Sequence, residues 1–108
     1  MLETYRRILK LLTIKQLSAA LAQMTTGQMC QGAFALCDNN GRVKSTCAIT
    51  AHTVGMTYAE QGAERERVKA ALGARPFWDF IGWFDSKPLS LSLSQLREAL
   101  QQEIASRC

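Results

Sequence analysis

The chain has 108 residues, 47% of them apolar and 20% charged, and a net charge of +4. That apolar content supports one modest core but not two ordinary domains, so residues 1–108 are expected to fold as a single domain rather than stay disordered. No run approaches the roughly 18 apolar residues of a membrane span, and Glu3, Arg6, Arg7, Lys10 and Lys15 interrupt the opening residues where a secretory leader would be uniformly apolar; a cytoplasmic protein is expected.

The charge is uneven. Residues 1–58 carry six basic side chains, Arg6, Arg7, Lys10, Lys15, Arg42 and Lys44, against Glu3 and Asp38, and residues 59–108 balance seven against seven. All the net charge therefore falls in the first half, which either attracts a polyanion or forms a solvated helix face.

In chain order, Tyr5, Ile8, Leu9 and Leu12 recur at helical spacing and predict a first helix over Leu2–Leu12. Thr13-Ile14-Lys15-Gln16 has the form of a capping box and starts a second helix with apolar positions Ile14, Leu17, Ala20, Leu21 and Met24, although residues 2–23 also read as one continuous helix. Thr25-Thr26-Gly27-Gln28 repeats the capping chemistry. It predicts a third helix over Thr26–Cys37 with Met29, Ala33 and Leu36 inward, ended by Asp38-Asn39-Asn40-Gly41.

The β-branched stretches Arg42–Ile49 and Thr53–Tyr58 predict a two-stranded ribbon. Glu64–Leu72 reads as a helix stopped by Gly73. Pro76 then opens Phe77–Phe84, which holds five of the eight aromatic residues. Ser92-Leu93-Ser94-Gln95 caps a last helix with Leu93, Leu96, Leu100 and Ile104 on one stripe, a stripe that completes the core or pairs with a second copy through residues 91–104. Residues 12–23 and 91–102 match at six positions, an echo that short capped helices reach by convergence. The fold class expected is mainly α with a small β-hairpin, an α+β chain.

Three helices followed by a β-ribbon resemble the winged helix-turn-helix superfamily over residues 5–58. Arg7–Leu12 is similar to its first helix, Gln16–Leu21 to its second, Thr25–Leu36 to its recognition helix, and Gly41-Arg42-Val43 to the entry into its wing. The resemblance implies a helix in the major groove of double-stranded DNA, with Thr25, Thr26, Gln28 and Gln31 at base-reading positions and Arg42 and Lys44 on phosphates. Residues 59–108 would be a helical extension of that module.

No GxxxxGKS, HExxH or GxSxG pattern occurs. The single histidine, His52, is expected in a solvated loop without a neighbouring carboxylate, so the chain is read as non-enzymatic and without a cofactor. The four cysteines lack close CxxC pairs and are read as reduced, Cys30 and Cys37 packing on one helical face, with a metal or redox role as the alternative. Phe77, Phe80 and Phe84 share a helical face, whereas Trp78 and Trp83 fall elsewhere. The segment is either core or an anchor surface for a partner. The expected function is a DNA-binding regulator; the alternative is a protein-binding adaptor or inhibitor that docks through the aromatic segment or the helix-turn-helix surface.

Overall fold

In a computed structural model, which describes residues 1–26 and 29–107, the chain begins with α1 (Leu2–Leu9) and α2 (Ile14–Thr26), joined at a tight turn. They are two helices, not one. Thr13 and Gln16 form the expected reciprocal cap: the Gln16 amide donates to Thr13 Oγ1 at 3.1 Å and the Thr13 amide to Gln16 Oε1 at 2.9 Å. Tyr5, Ile8 and Leu9 of α1 and Leu17, Ala20 and Met24 of α2 are buried, as their spacing predicts, whereas Leu21 is half-buried and Ile14, at the start of α2, is exposed.

The helix expected over Thr26–Cys37 is not formed. Met29 bridges Thr46, the Cys30 amide donates to Thr46 O at 2.9 Å, and Ala35–Cys37 is a strand, β1, antiparallel to β2 (Val43–Thr46). Helical spacing of Met29, Ala33 and Leu36 lost to this pairing, helped by Gly32, whose φ of +78° no interior helical residue adopts. Ala33 and Leu36 are exposed. The intended helix stop, Asp38–Gly41, is instead the hairpin turn: Asp38 Oδ1 accepts the amides of Asn40 and Arg42, and Gly41 has φ +76°.

The ribbon between 42–49 and 53–58 is likewise replaced. Ala48–Thr53 is a buried 3-10 segment kinked at Thr50; only a remnant of the expected pairing survives, in which the Val43 amide donates to Met56 O and the Gly55 amide to Val43 O, both at 2.8 Å. All six residues from Ala48 to Thr53 are buried.

Three helices complete the chain: α3 (Tyr58–Leu72), α4 (Ala74–Ser86) and α5 (Leu89–Arg107). Helix α3 starts six residues before Glu64, because Thr57 and Glu60 make a capping box, and it stops at Gly73 as expected. Pro76 lies in the first turn of α4, where its missing amide costs nothing. Helix α5 starts at Leu89, so Ser92 is not a cap; it is buried, and its hydroxyl donates to Pro88 O at 3.4 Å. Leu93, Leu96 and Leu100 fill the chain's own core against α1 and α2.

At the other end of α5, Arg107 donates to Leu9 O at the end of α1 and to Leu12 O in the turn that follows, and its Nε lies 2.9 Å from Glu103, which also pairs with Lys10 at 3.1 Å. A guanidinium on the carbonyl that ends a helix sits at the negative end of its dipole. The architecture is mainly α with one small antiparallel hairpin, and no described helix is long and apolar enough to cross a membrane.

Candidate functional site

Helix α4 presents two adjacent stripes. Phe77, Phe80 and Phe84, at i, i+3 and i+7, are at most 1% exposed and fill the core, Phe80 stacking on Tyr5 with ring centres 5.6 Å apart. Trp78, Ile81 and Asp85 occupy the same spacing one residue on, and Trp78 is 50% exposed. Beside that second stripe lies a cavity of about 220 Å³, walled on its far side by Phe34, Cys47 and Ile49.

The far wall is tied to α4 by polar bonds. Gln31 Nε2 donates to Phe84 O and Lys87 O, each at 2.7 Å, and the Gly32 amide donates to Asp85 Oδ1 at 3.0 Å. The loop thus caps carbonyls at the end of α4, and Gly32, with φ +78°, and Ala33 line the cavity. Phe34 is held from α3: Gln61 Nε2 donates to Phe34 O at 3.3 Å and to Thr50 Oγ1 at 2.9 Å, fixing both strand and 3-10 segment.

The rim is aromatic and cationic. Phe34 and Trp78 lie 6.0 Å apart, and Trp78 meets Phe77 edge-on at 5.1 Å. The Arg65 guanidinium sits 4.4 Å above the Phe34 ring, and Lys69 Nζ is 5.3 Å from the Trp78 ring centre. Cys47 on the cavity wall is buried, which pushes its thiol above the ordinary range and works against a nucleophilic thiolate.

The expected DNA-reading side chains are not brought onto one helix. Thr25 and Thr26 end α2, and their hydroxyls donate to Leu21 O and Gln23 O of that same helix. Gln28 lies outside the described residues, and Gln31 serves the α4 carbonyls. Arg42 is exposed beside the hairpin turn, 3.9 Å from Glu60, and Lys44 is exposed on β2. The five aromatic candidates also divide. Phe77, Phe80 and Phe84 are core, Trp78 stands on the cavity rim, and half-buried Trp83 lies on the opposite flank against Phe80, next to Leu91.

His52 is not solvated. Its side chain is fully buried and its Nε2 lies 2.7 Å from Glu64 Oε1, a carboxylate twelve residues away that the next turn of α3 holds through Arg67. Cys30 and Cys37 are half-buried and share no helix. Among the described residues no group of three or more His, Cys, Asp and Glu side chains could hold a metal ion. Phe34, Ile49, Arg65, Lys69 and Ile81 were not singled out from sequence; the Trp78, Ile81, Asp85 spacing was the available signal.

Comparison of the chain with protein-family models, with curated proteins and with solved structures finds no match.

Proposed function

We propose that the chain is a small non-enzymatic binding protein that docks on a larger protein through Trp78 and the cavity beside it. One observation carries this reading: a tryptophan left half in solvent at the mouth of a preformed apolar hollow, when α4 buries three phenylalanines one residue away. Tryptophan anchors of this kind dominate interface energetics. The volume of about 220 Å³ is below the roughly 300–1,000 Å³ usual for small-molecule sites and suits a single inserted side chain.

The duplex-DNA reading draws on the net charge of +4 and on exposed Lys15 and Lys44. Against it, Arg6, Arg7 and Lys10 bond within the fold, to Gln102, Leu72 O and Glu103, and phosphate contacts dominate DNA affinity.

The test is affinity capture from the protein's own cells with the wild type, Trp78→Ala and Ile81→Arg. A stoichiometric partner lost by both variants, with unchanged circular dichroism, supports docking. A partner retained by both, or salt-sensitive duplex binding abolished by Lys15→Ala with Lys44→Ala, overturns it.

A further inference from the structure

The docking reading leaves the partner's chemistry open, and the following step rests on that reading. The two ends of the cavity differ in charge. At 1.5 Å per residue the wall from Trp78 to Asp85 runs about 10 Å along α4. Arg65 and Lys69 stand at the Trp78 end, their cations lying over Phe34 and over Trp78. Asp85 stands at the other, occupied by the Gly32 amide.

Neither Arg65 nor Lys69 makes an ion pair among the described residues, whereas Lys10, Arg42, Arg67 and Arg107 each lie within 4.0 Å of a carboxylate. Glu64, on the same helix, is already engaged by His52 and Arg67. Two half-buried cations without counter-ions, seated on the aromatic lip of an apolar hollow, therefore raise the local potential where a bound chain would enter.

We infer that the cavity takes an apolar side chain from a partner peptide whose neighbouring residue is acidic, the side chain entering beside Trp78 and the carboxylate resting on Lys69 and Arg65. The aromatic lip excludes water from one side of that ion pair, and a basic neighbour is repelled. The charge selects among apolar anchors and the hollow supplies the affinity.

The test titrates the full ¹⁵N-labelled chain with acetyl-Glu-Phe-Gly-amide and acetyl-Gly-Phe-Glu-amide, with the Gln and Lys counterparts of each, following the Trp78 indole N–H signal. The expected result is that one acidic order binds about fivefold more tightly than its Gln counterpart, a partly exposed ion pair's worth, and more tightly still than its Lys counterpart. That preference should shrink in Lys69→Gln, reverse in Lys69→Glu, and weaken as salt rises.

Equal binding of all six peptides would leave docking standing and overturn the acidic specificity, as would tightest binding of the Lys forms. No shift with any peptide up to its solubility would overturn both. Tighter binding of 3-phenylpropionate than of either acidic peptide would replace the peptide with a small aromatic acid.

Discussion

His52 and Glu64 join the 3-10 segment to α3 through a 2.7 Å contact, and the other ring nitrogen of His52, Nδ1, is buried without a hydrogen-bond partner among the described residues. With the carboxylate as acceptor, Nε2 carries the proton and Nδ1 holds only a lone pair. Protonating Nδ1 would create a buried donor with no acceptor among the described residues. Burial accordingly holds the His52 pKa below 6.5, outweighing the opposing pull of Glu64.

The same pair sets a pH dependence. A histidine whose folded pKa is depressed contributes stability that is complete above about pH 6.5 and is lost as pH falls toward the folded value. Glu64 is held near a pKa of about 2, chiefly by Arg67, so its contribution is complete above its ordinary 4.5 and is lost as pH falls from there toward 2. Urea midpoints should therefore decline from pH 7.5 to 5.5 and again from 4.5 to 3. His52 is the one histidine of the chain, so His52→Gln should flatten the first decline and keep the second. An unchanged first decline in that variant would mean the ring is not what titrates.

Arg107 and Glu103 give a stability prediction. Glu103 has 6% of its side chain exposed and Arg107 27%, and Arg107 also serves Leu9 O at the end of α1 and Leu12 O in the turn after it. Arg107→Ala leaves Glu103 with Lys10 as its one cationic partner among the described residues and removes the guanidinium bonds to Leu9 O and Leu12 O, and should cost about 2–3 kcal/mol, as charge-assisted bonds do, a fall of about 10–15 °C in thermal midpoint for a chain of this size. Lys10→Ala removes a partner whose side chain is 67% exposed and should cost less than about 1 kcal/mol. Equal losses in calorimetry would contradict the ranking.

The two stripes of α4 should separate stability from binding. Phe84→Ala empties a site that is 1% exposed and should cost about 3–5 kcal/mol. Trp78→Ala gives up partial burial, its ring contacts with Phe77 and Phe34 and the Lys69 cation, and should cost about 1–2 kcal/mol. Denaturant midpoints distinguish the two; comparable losses would make Trp78 a packing residue.

Local chemistry made much of this legible from sequence. Thr13 and Gln16 cap α2, Gly73 ends α3, and the spacing of Phe77, Phe80 and Phe84 announces the buried face of α4, because each signal is decided within a few residues. Met29, Ala33 and Leu36 carried an equally helical signal and misled, since their segment is claimed by Thr46 and Cys47, partners that periodicity cannot register. The loop expected around His52 failed similarly: its carboxylate arrives from the next helix. The cavity was invisible for the same reason, as its walls come from residues 32–34, 47–49 and 78–85. Only Trp78, an aromatic falling off the buried stripe, hinted that one wall faced outward.

Filling the cavity separates a functional hollow from a packing defect. Ile81 is half-buried on its wall, so a larger ring can grow into apolar space without displacing buried backbone. Replacing empty apolar volume by side chain regains dispersion contacts that the lining now lacks, and cavity filling commonly adds about 0.5–2 kcal/mol. Ile81→Trp should therefore hold or raise the thermal midpoint while abolishing the Trp78 N–H shift on titration with the tighter of the two acidic tripeptides. Ile81→Val, which enlarges the hollow by one methylene, should lower the midpoint slightly, by about 0.5–1.5 kcal/mol, and keep peptide binding. If Ile81→Trp bound the peptide as the wild type does, the side chain would have to dock outside the cavity, and Trp78 would be acting from its exposed face alone.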